Sequence, residues 1–244
     1  MTFAIGCAFN RSTQHMHESA AIDAPAVIKN EREADLILLN PDNAIADIDA
    51  LEKLYGAPAE ASLKKEVSYV HPHYQKFIEA APFVLLATSG AAGLDLSPRG
   101  DAAGFVRIHD PKTLLLPDRR GNNRIDSLRN VLDDPRVALL FLIPGVGETL
   151  RVMGSASIHV DPDLLAAFSV DGKPPRSVLV VKVETVFFQC SRAVLRSNLW
   201  DHSRHIIRDA LPSLGTILAD VSNGEIDGQE YDAKLPERIK STMY

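Results

Sequence analysis

The chain of 244 residues reads as a mainly β domain, a small antiparallel barrel of about six strands with helices added at both ends. Three observations predict this class. Between Phe83 and Phe188 the apolar residues keep strand spacing and are joined mostly by hairpin-type turns. One helix is inserted before the fifth strand, and the repeated strand–helix–strand units of a doubly wound sheet are absent. The flanks on either side carry helical spacing instead.

Composition narrows the function before any motif does. Charged residues at 24% and hydrophobic residues at 45% suit a globular chain that can bury a core without disulfides. The net charge of −6 argues against general binding to nucleic acid or to an anionic membrane. The charge is uneven, however: Ser97 to Arg151 holds nine Lys or Arg against seven Asp or Glu, which leaves the remainder at −8. A locally basic patch on an acidic protein suits a small anionic ligand. Cys7 and Cys190 have no metal-type spacing, so neither a disulfide framework nor a zinc site is expected, and a reducing cytoplasm is the expected compartment. Phe3 to Phe9 is too short to span a bilayer, and Met1 to His15 is expected to be poorly ordered, with Met16 an alternative start.

Taken in order, Ile45, Ile48, Leu51, Leu54 and Tyr55 predict an amphipathic helix over Ala44 to Tyr55, stopped by Gly56 and Pro58. Leu63, Val67 and Val70 predict a second over Glu60 to Val70, and Tyr74 to Ala80 a third. His71 and His73 lack a third ligand nearby, so a cap or surface role is expected, and no metal site. Phe83–Thr88 and Leu94–Ser97 then predict a hairpin. Phe105–Ile108 pairs with Thr113–Leu116 across His109-Asp110-Pro111-Lys112. Arg136–Ile143 is a buried-strand run, Thr149–Val160 alternates, Asp161 caps a short helix through Phe168, and Val178–Phe188 is the last long strand. Helical patterns recur near Ala193–Leu199, Leu214–Val221 and Ala233–Ser241. The expected layout is a flexible extension over 1–43, a helical segment over 44–81, the barrel over 82–201 and a helical tail over 202–244.

One stretch carries chemistry. Leu114 to Leu116 lead into the basic hinge Asp118-Arg119-Arg120-Gly121-Asn122-Asn123-Arg124, and a helix follows that ends before Asp133-Asp134-Pro135. Asn122 or Asn123 can cap that helix, and Arg124 in its first turn would add a forked donor to an N-terminus that already attracts anions. The competing reading is a solvated loop with surface arginines.

Together with Ser97-Pro98-Arg99-Gly100-Asp101, Asp134-Pro135-Arg136-Val137 and Thr149-Leu150-Arg151-Val152-Met153-Gly154, the Gly121-Asn122-Asn123-Arg124 hinge resembles the pyridoxamine 5'-phosphate oxidase class over about Ala80 to Trp200. The resemblance implies a six-stranded antiparallel split β-barrel binding FMN, and a homodimer with the flavin at the subunit interface. The family's Ser-Arg-Lys phosphate grip falls on Asn122-Asn123-Arg124, so Asn123 and Arg124 take the places of the Arg and the Lys. Ser97 would donate to flavin or phosphate. Arg99 would add a charged contact unless it pairs with Asp101 or Asp118, and Asp118 joins the set as the residue opening the hinge. A late-strand Gln of the family aligns with Thr149, a shorter donor; Arg151, two residues on, shares its face. Trp200, in Arg196-Ser197-Asn198-Leu199-Trp200-Asp201, resembles the segment that covers the partner's flavin.

Departures argue against vitamin B6 oxidation itself. Where that oxidase carries a Tyr with a Ser-Arg-Pro segment and a terminal Arg-Leu-His, this chain reads Ala167-Phe168-Ser169-Val170-Asp171-Gly172-Lys173 and Arg196-Ser197-Asn198. No protein acid, base or nucleophile is singled out: His109, His202 and His205 read as surface residues and Cys190 as a buried, inert thiol. The expectation is an FMN-dependent oxidoreductase acting on a small substrate, with NADH, NADPH or oxygen as the other reactant. A deazaflavin reductase and a non-catalytic flavin or haem sensor are the alternatives.

Overall fold

The computed structural model describes residues 40–244. The expectations for Met1–His15 and Cys7 lie outside them. The chain divides after Gly56 into two compact units. In the first, a 3-10 turn at Pro41–Asn43 precedes helix α1 (Ile48–Tyr55). The helix starts four residues later than its apolar spacing suggests, because Asp47 takes extended backbone and accepts the Ala50 N–H at 2.8 Å as an N-cap.

The second unit, from Ala57, is built on one antiparallel sheet. Helices α2 (Glu60–Lys64) and α3 (Pro72–Ala80) lead into β1 (Phe83–Gly90) and β2 (Gly93–Gly100), then β3 (Arg107–Asp110) and β4 (Thr113–Asp118). Helix α4 (Asp126–Asp133) precedes β5 (Arg136–Leu142) and β6 (Thr149–His159); α5 (Pro162–Ala167) precedes β7 (Ser177–Gln189). Helices α6 (Arg192–Ser197), α7 (Leu214–Val221) and α8 (Gly228–Thr242) complete the chain.

The expected six-stranded split barrel is corrected to a seven-stranded sheet in the order β2-β1-β5-β6-β7-β4-β3, with β2 and β3 as open edges. Strand β3 begins two residues later than its expected run Phe105–Ile108; it is four residues long and paired on one side only, with a register shift between Ile108 and Asp110. So short an edge strand has little alternating pattern of its own, and the ladder to β4 sets its bounds. The second expected helix also ends early, at Lys64. Val67 leaves the helix because β7 captures it: its N–H donates to Val186 O at 3.0 Å and its carbonyl accepts from the Val186 N–H at 2.7 Å.

Alternation along the central strands places Val84 and Leu86, Leu139 and Phe141, Leu150 and Val152, and Val181 and Val183 in one core, closed by Ile78 of α3 and Val131 of α4. The sheet curls at a β-bulge between Met153 and Gly154. A Cβ on Gly154 would stand 1.9 Å from the Lys182 carbonyl oxygen, so only glycine allows the two backbones this approach. The curl brings the β2 edge and the β4–α4 connection round to a common rim.

Candidate functional site

Strand β2 explains which of its side chains reach that rim. Asp95, Ser97 and Arg99 alternate onto the half-buried face, while Leu94, Leu96 and Pro98 are exposed on the other. Strand β4 is buried to its end, and Asp118 closes it opposite Ser177 of β7. Between Asp118 and α4 the hinge folds over the β2 face. The result is a cleft of about 540 Å³ lined by Ser97, Arg99, Asp118, Asn123 and Arg124 among others. Five arginines (99, 119, 120, 124 and 176) face three aspartates (95, 118 and 126) along it, so the cleft is net positive on an acidic protein.

The hinge differs from a simple helix cap. Helix α4 begins at Asp126, and its N-cap position is Ile125 in the left-handed region (φ 53°) with no side-chain cap. Asn122 caps a turn instead, its Oδ1 accepting the Arg124 N–H at 3.1 Å. Asn123 is also left-handed (φ 62°), and its Oδ1 accepts from Arg176 Nη1 at 3.0 Å. Arg124 therefore precedes the helix rather than sitting in its first turn. Its exposed side chain reaches Asp126, Nε to Oδ2 at 2.7 Å. A β-branched residue at positive φ is a costly conformation, and Ile125 holds it where the chain must turn above the cleft.

Arg99 is deeper. Its Nη1 pairs with Asp118 and its Nη2 donates to Ser127 Oγ at 3.2 Å, while Ser127 Oγ donates to Asp95 Oδ2 at 2.5 Å. The pairing with Asp118 weighed from sequence is present, with side chains only 19% and 12% exposed rather than lying at the open surface. Arg99 Nε is a buried donor without a partner. Next along the hinge, Arg119 donates from Nε to Asp101 Oδ2 at 2.8 Å and from Nη1 to Phe168 O at 2.7 Å. Tyr244 donates its hydroxyl to Asp101 Oδ1 at 3.0 Å. Burial works to raise the Asp101 pKa, but the Ala102 N–H, the Tyr244 hydroxyl and Arg119 together outweigh it and hold the carboxyl below its ordinary range. Asp101 in turn raises the Tyr244 phenol above its ordinary value.

Five of the eight residues singled out from sequence thus line one cleft. Thr149, Arg151 and Trp200 do not. Thr149 and Arg151 lie on β6, three strands across the sheet from β2, and Arg151 faces Phe187 of β7 where Asp118 faces Ser177; Arg151 sits 5.7 Å from the Phe187 ring. The Trp200 indole N–H donates to Val146 O at 2.8 Å, in the loop just before Thr149. Sequence reading missed Asp95 and Ser127, whose spacing carries no motif. It also missed Arg176, although Lys173-Pro174-Pro175-Arg176, a stiff basic segment directly before a strand, was a usable signal. Cys190 is exposed, which corrects the expected buried thiol: it lies just past β7, outside the alternation that buries the strand. Among the described residues no His, Cys, Asp or Glu cluster could hold a metal ion, and no helix is long and apolar enough to cross a membrane.

Residues 70–190 of the chain match the family model described as pyridoxamine 5'-phosphate oxidase. Among solved structures it is similar to HupZ of Group A Streptococcus (18% identity, 50% of this chain and 94% of that one, TM-score 0.42). It is also similar to a candidate pyridoxamine 5'-phosphate oxidase of Lactobacillus delbrueckii (21% identity, 50% and 95%, TM-score 0.38). A Clostridium acetobutylicum protein related to general stress protein 26, of the pyridoxinephosphate oxidase family, is similar at 16% identity over 48% and 86% with a TM-score of 0.39. No curated protein matches. Through residues 70–190 the chain belongs to the pyridoxamine 5'-phosphate oxidase-related split-barrel family.

Proposed function

We propose that the protein is an FMN-binding flavoprotein that transfers hydride or electrons between a nicotinamide cofactor or oxygen and a small substrate. The observation that carries the reading is the net-positive cleft between the β2 face and the hinge, within the family-matched region. The donor set fits a phosphate-bearing ligand. Arg124 is exposed and needs only to leave Asp126, Ser97 offers a hydroxyl on the same face, and Arg99 Nε is an orphaned buried donor. The same lining fits haem poorly, since it contains no His, Cys, Met or Tyr to ligate iron. When bound, FMN supplies the acceptor for a hydride or an electron, and the chain's residues bind and orient it.

In this reading Arg124 and Asn123 hold the phosphate, Ser97 donates to the phosphate or ring, and Asp118 fixes Arg99 against the cleft floor. Thr149, Arg151 and Trp200 lie away from that cleft in their own chain, which favours a homodimer in which each protomer presents these three to the flavin held by the other. A cytoplasmic location accords with this chemistry.

Purified full-length protein tests the reading. A yellow protein whose released chromophore is FMN, reduced by NADH or NADPH, is the expected result. A protein that takes up no FMN on reconstitution removes the flavin reading, and bound flavin that neither nucleotide reduces leaves a binding protein.

A further inference from the structure

The tail that carries α7 and α8 is barely held by the sheet. Among the described residues, the hydrogen bonds of 206–243 all stay inside that segment, and Tyr244 alone reaches out, to Asp101. The tail nevertheless carries a stripe of large apolar side chains. Ile206, Ile207, Leu211, Leu214, Ile217 and Val221 are each 42–75% exposed. We propose that this stripe pairs antiparallel with the same stripe of a second copy, as a contact of the homodimer separate from the cleft. That the second copy is the flavin partner rests on the homodimer reading; the pairing of the stripes does not.

Helix α7 puts its small and its large residues on different faces. Gly215 and Ala219, four apart, meet the start of α8 at Gly228, and the Gly215 N–H donates to Asp232 Oδ1 at 2.8 Å. Leu214, Ile217 and Val221 recur at i, i+3 and i+7, about a quarter-turn round the helix from that contact, so they point away from α8. The close glycine contact therefore joins the two helices without covering the stripe. Helices of eight and fifteen residues draw most of their stability from packing an apolar face. In this pair that face is open.

A second copy fits the stripe in area, charge and position. The six side chains leave on the order of 600 Å² of apolar surface open. Two such stripes face to face would bury about 1,200 Å², the lower limit of a stable interface, so the stripe reinforces a dimer rather than holding one unaided. A two-fold contact needs a surface complementary to itself. From Arg204 to Asp209 the formal charge is +1 (Arg204, Arg208 and Asp209), and from Asp220 to Asp227 it is −3 (Asp220, Glu225 and Asp227). An antiparallel pairing about Ile217 sets the Arg208 end of each stripe towards the Glu225 end of the other, whereas a parallel pairing stacks like charges. The net charge of −2 over 204–227 counts against an anionic membrane as the occupant. Trp200, which the homodimer reading presents to the other protomer's flavin, stands six residues before Ile206, so the stripe leaves the body of the chain beside that interface.

Cross-linking and light scattering on the full chain test the pairing. With Cys7→Ser and Cys190→Ser in place, Ile217→Cys should link two copies through a short bismaleimide. Thr216→Cys, exposed on the far side of α7, should not. Ile217→Glu/Val221→Glu, changed only at exposed positions, should raise the dimer dissociation constant at least roughly tenfold on dilution, with the circular dichroism of the chain unchanged. Arg208→Glu should weaken the dimer too, and adding Glu225→Arg should restore it, which a purely local loss at Arg208 would not allow. Unchanged dimerisation of Ile217→Glu/Val221→Glu, equal linking through Ile217→Cys and Thr216→Cys, or charge reversal without rescue overturns the pairing. So does stripe-dependent binding to phosphatidylserine vesicles by a chain that does not self-associate. A linked pair inside a four-chain assembly overturns the place of the stripe in the flavin dimer. A flavin-loaded dimer that Ile217→Cys does not link sinks the stripe and leaves the homodimer reading standing. Chains that link through Ile217→Cys yet take up no FMN sink the flavin reading alone.

Discussion

At the scale of single residues, the cleft works through charges that already have partners. Arg99 and Asp118 form a largely buried pair, so Arg99→Ala leaves a carboxylate without compensation and should cost about 3 kcal/mol of stability by chemical denaturation. Arg99→Ala/Asp118→Ala should recover part of that loss; a double variant no more stable than the single one would mean the pair is not the cause. Arg124 behaves in the opposite way, because it is exposed and bonded only locally to Asp126. Arg124→Ala should leave stability nearly unchanged yet lower FMN affinity by tenfold or more, as a lost charge-assisted contact of about 1.5–3 kcal/mol requires. Asp126→Asn should tighten FMN by a few-fold, since it frees Arg124 and removes a negative charge from the mouth of the cleft. Flavin titrations of these variants check both signs. The arginines themselves were legible from sequence as a basic hinge. Which of them is free was not, because that depends on Asp118 and Asp126 lying within reach in space.

At the scale of elements, local pattern and tertiary pairing compete, and the points of conflict are informative. Val67 keeps helical spacing but pairs with Val186, since two backbone hydrogen bonds to a formed strand outweigh one more helical turn. The Met153–Gly154 bulge sets how far the sheet curls, and Gly154→Ala would drive a Cβ into the Lys182 carbonyl. A loss of about 3 kcal/mol or more in thermal or denaturant unfolding is expected. A near-neutral result would show that the bulge can slide. Helices α7 and α8 approach through Gly215 and Gly228, where a Cβ on Gly215 would lie 2.0 Å from the Gly228 carbonyl oxygen. Gly215→Ala should therefore open this pair and raise its susceptibility to proteolysis while the sheet retains its own unfolding transition.

At the scale of the whole molecule, two expectations concern assembly and pH. Strand β2 is an open edge whose outer face carries Leu94 (89% exposed) and Leu96 (63% exposed), an apolar stripe beside the cleft. On the homodimer reading, Leu94→Glu/Leu96→Glu should yield monomers by light scattering and release flavin together. A flavin-loaded monomer would contradict an intersubunit site. The Asp101–Arg119–Tyr244 contact joins the end of the described chain to the start of the hinge. Asp101 is depressed, so its contribution is present above the ordinary carboxylate value and lost as pH falls through the folded one. Tyr244 is raised, so its contribution is present below the ordinary phenol value and lost as pH climbs through its folded value. The contact should persist across the neutral range and release Tyr244 at both extremes. Hydrogen exchange of the α8 segment against pH checks this, and protection independent of pH would sink it.

Order of elements, antiparallel class, the basic hinge and the family motifs were all determined by the sequence alone, because each rests on spacing over a few residues or on a contiguous stretch. The hinge could be read as an anion site from Asn122, Asn123 and Arg124 without knowing anything beyond the next turn of chain. What the tertiary structure decided was partnership: the bounds of β3 set by its ladder, a helix ended by β7, Arg99 neutralised by Asp118, and Arg176 delivered from 53 positions beyond Asn123 to its side chain. Strand and turn preferences act locally, whereas the charge of a cleft is the sum over every segment that the curled sheet brings to one rim.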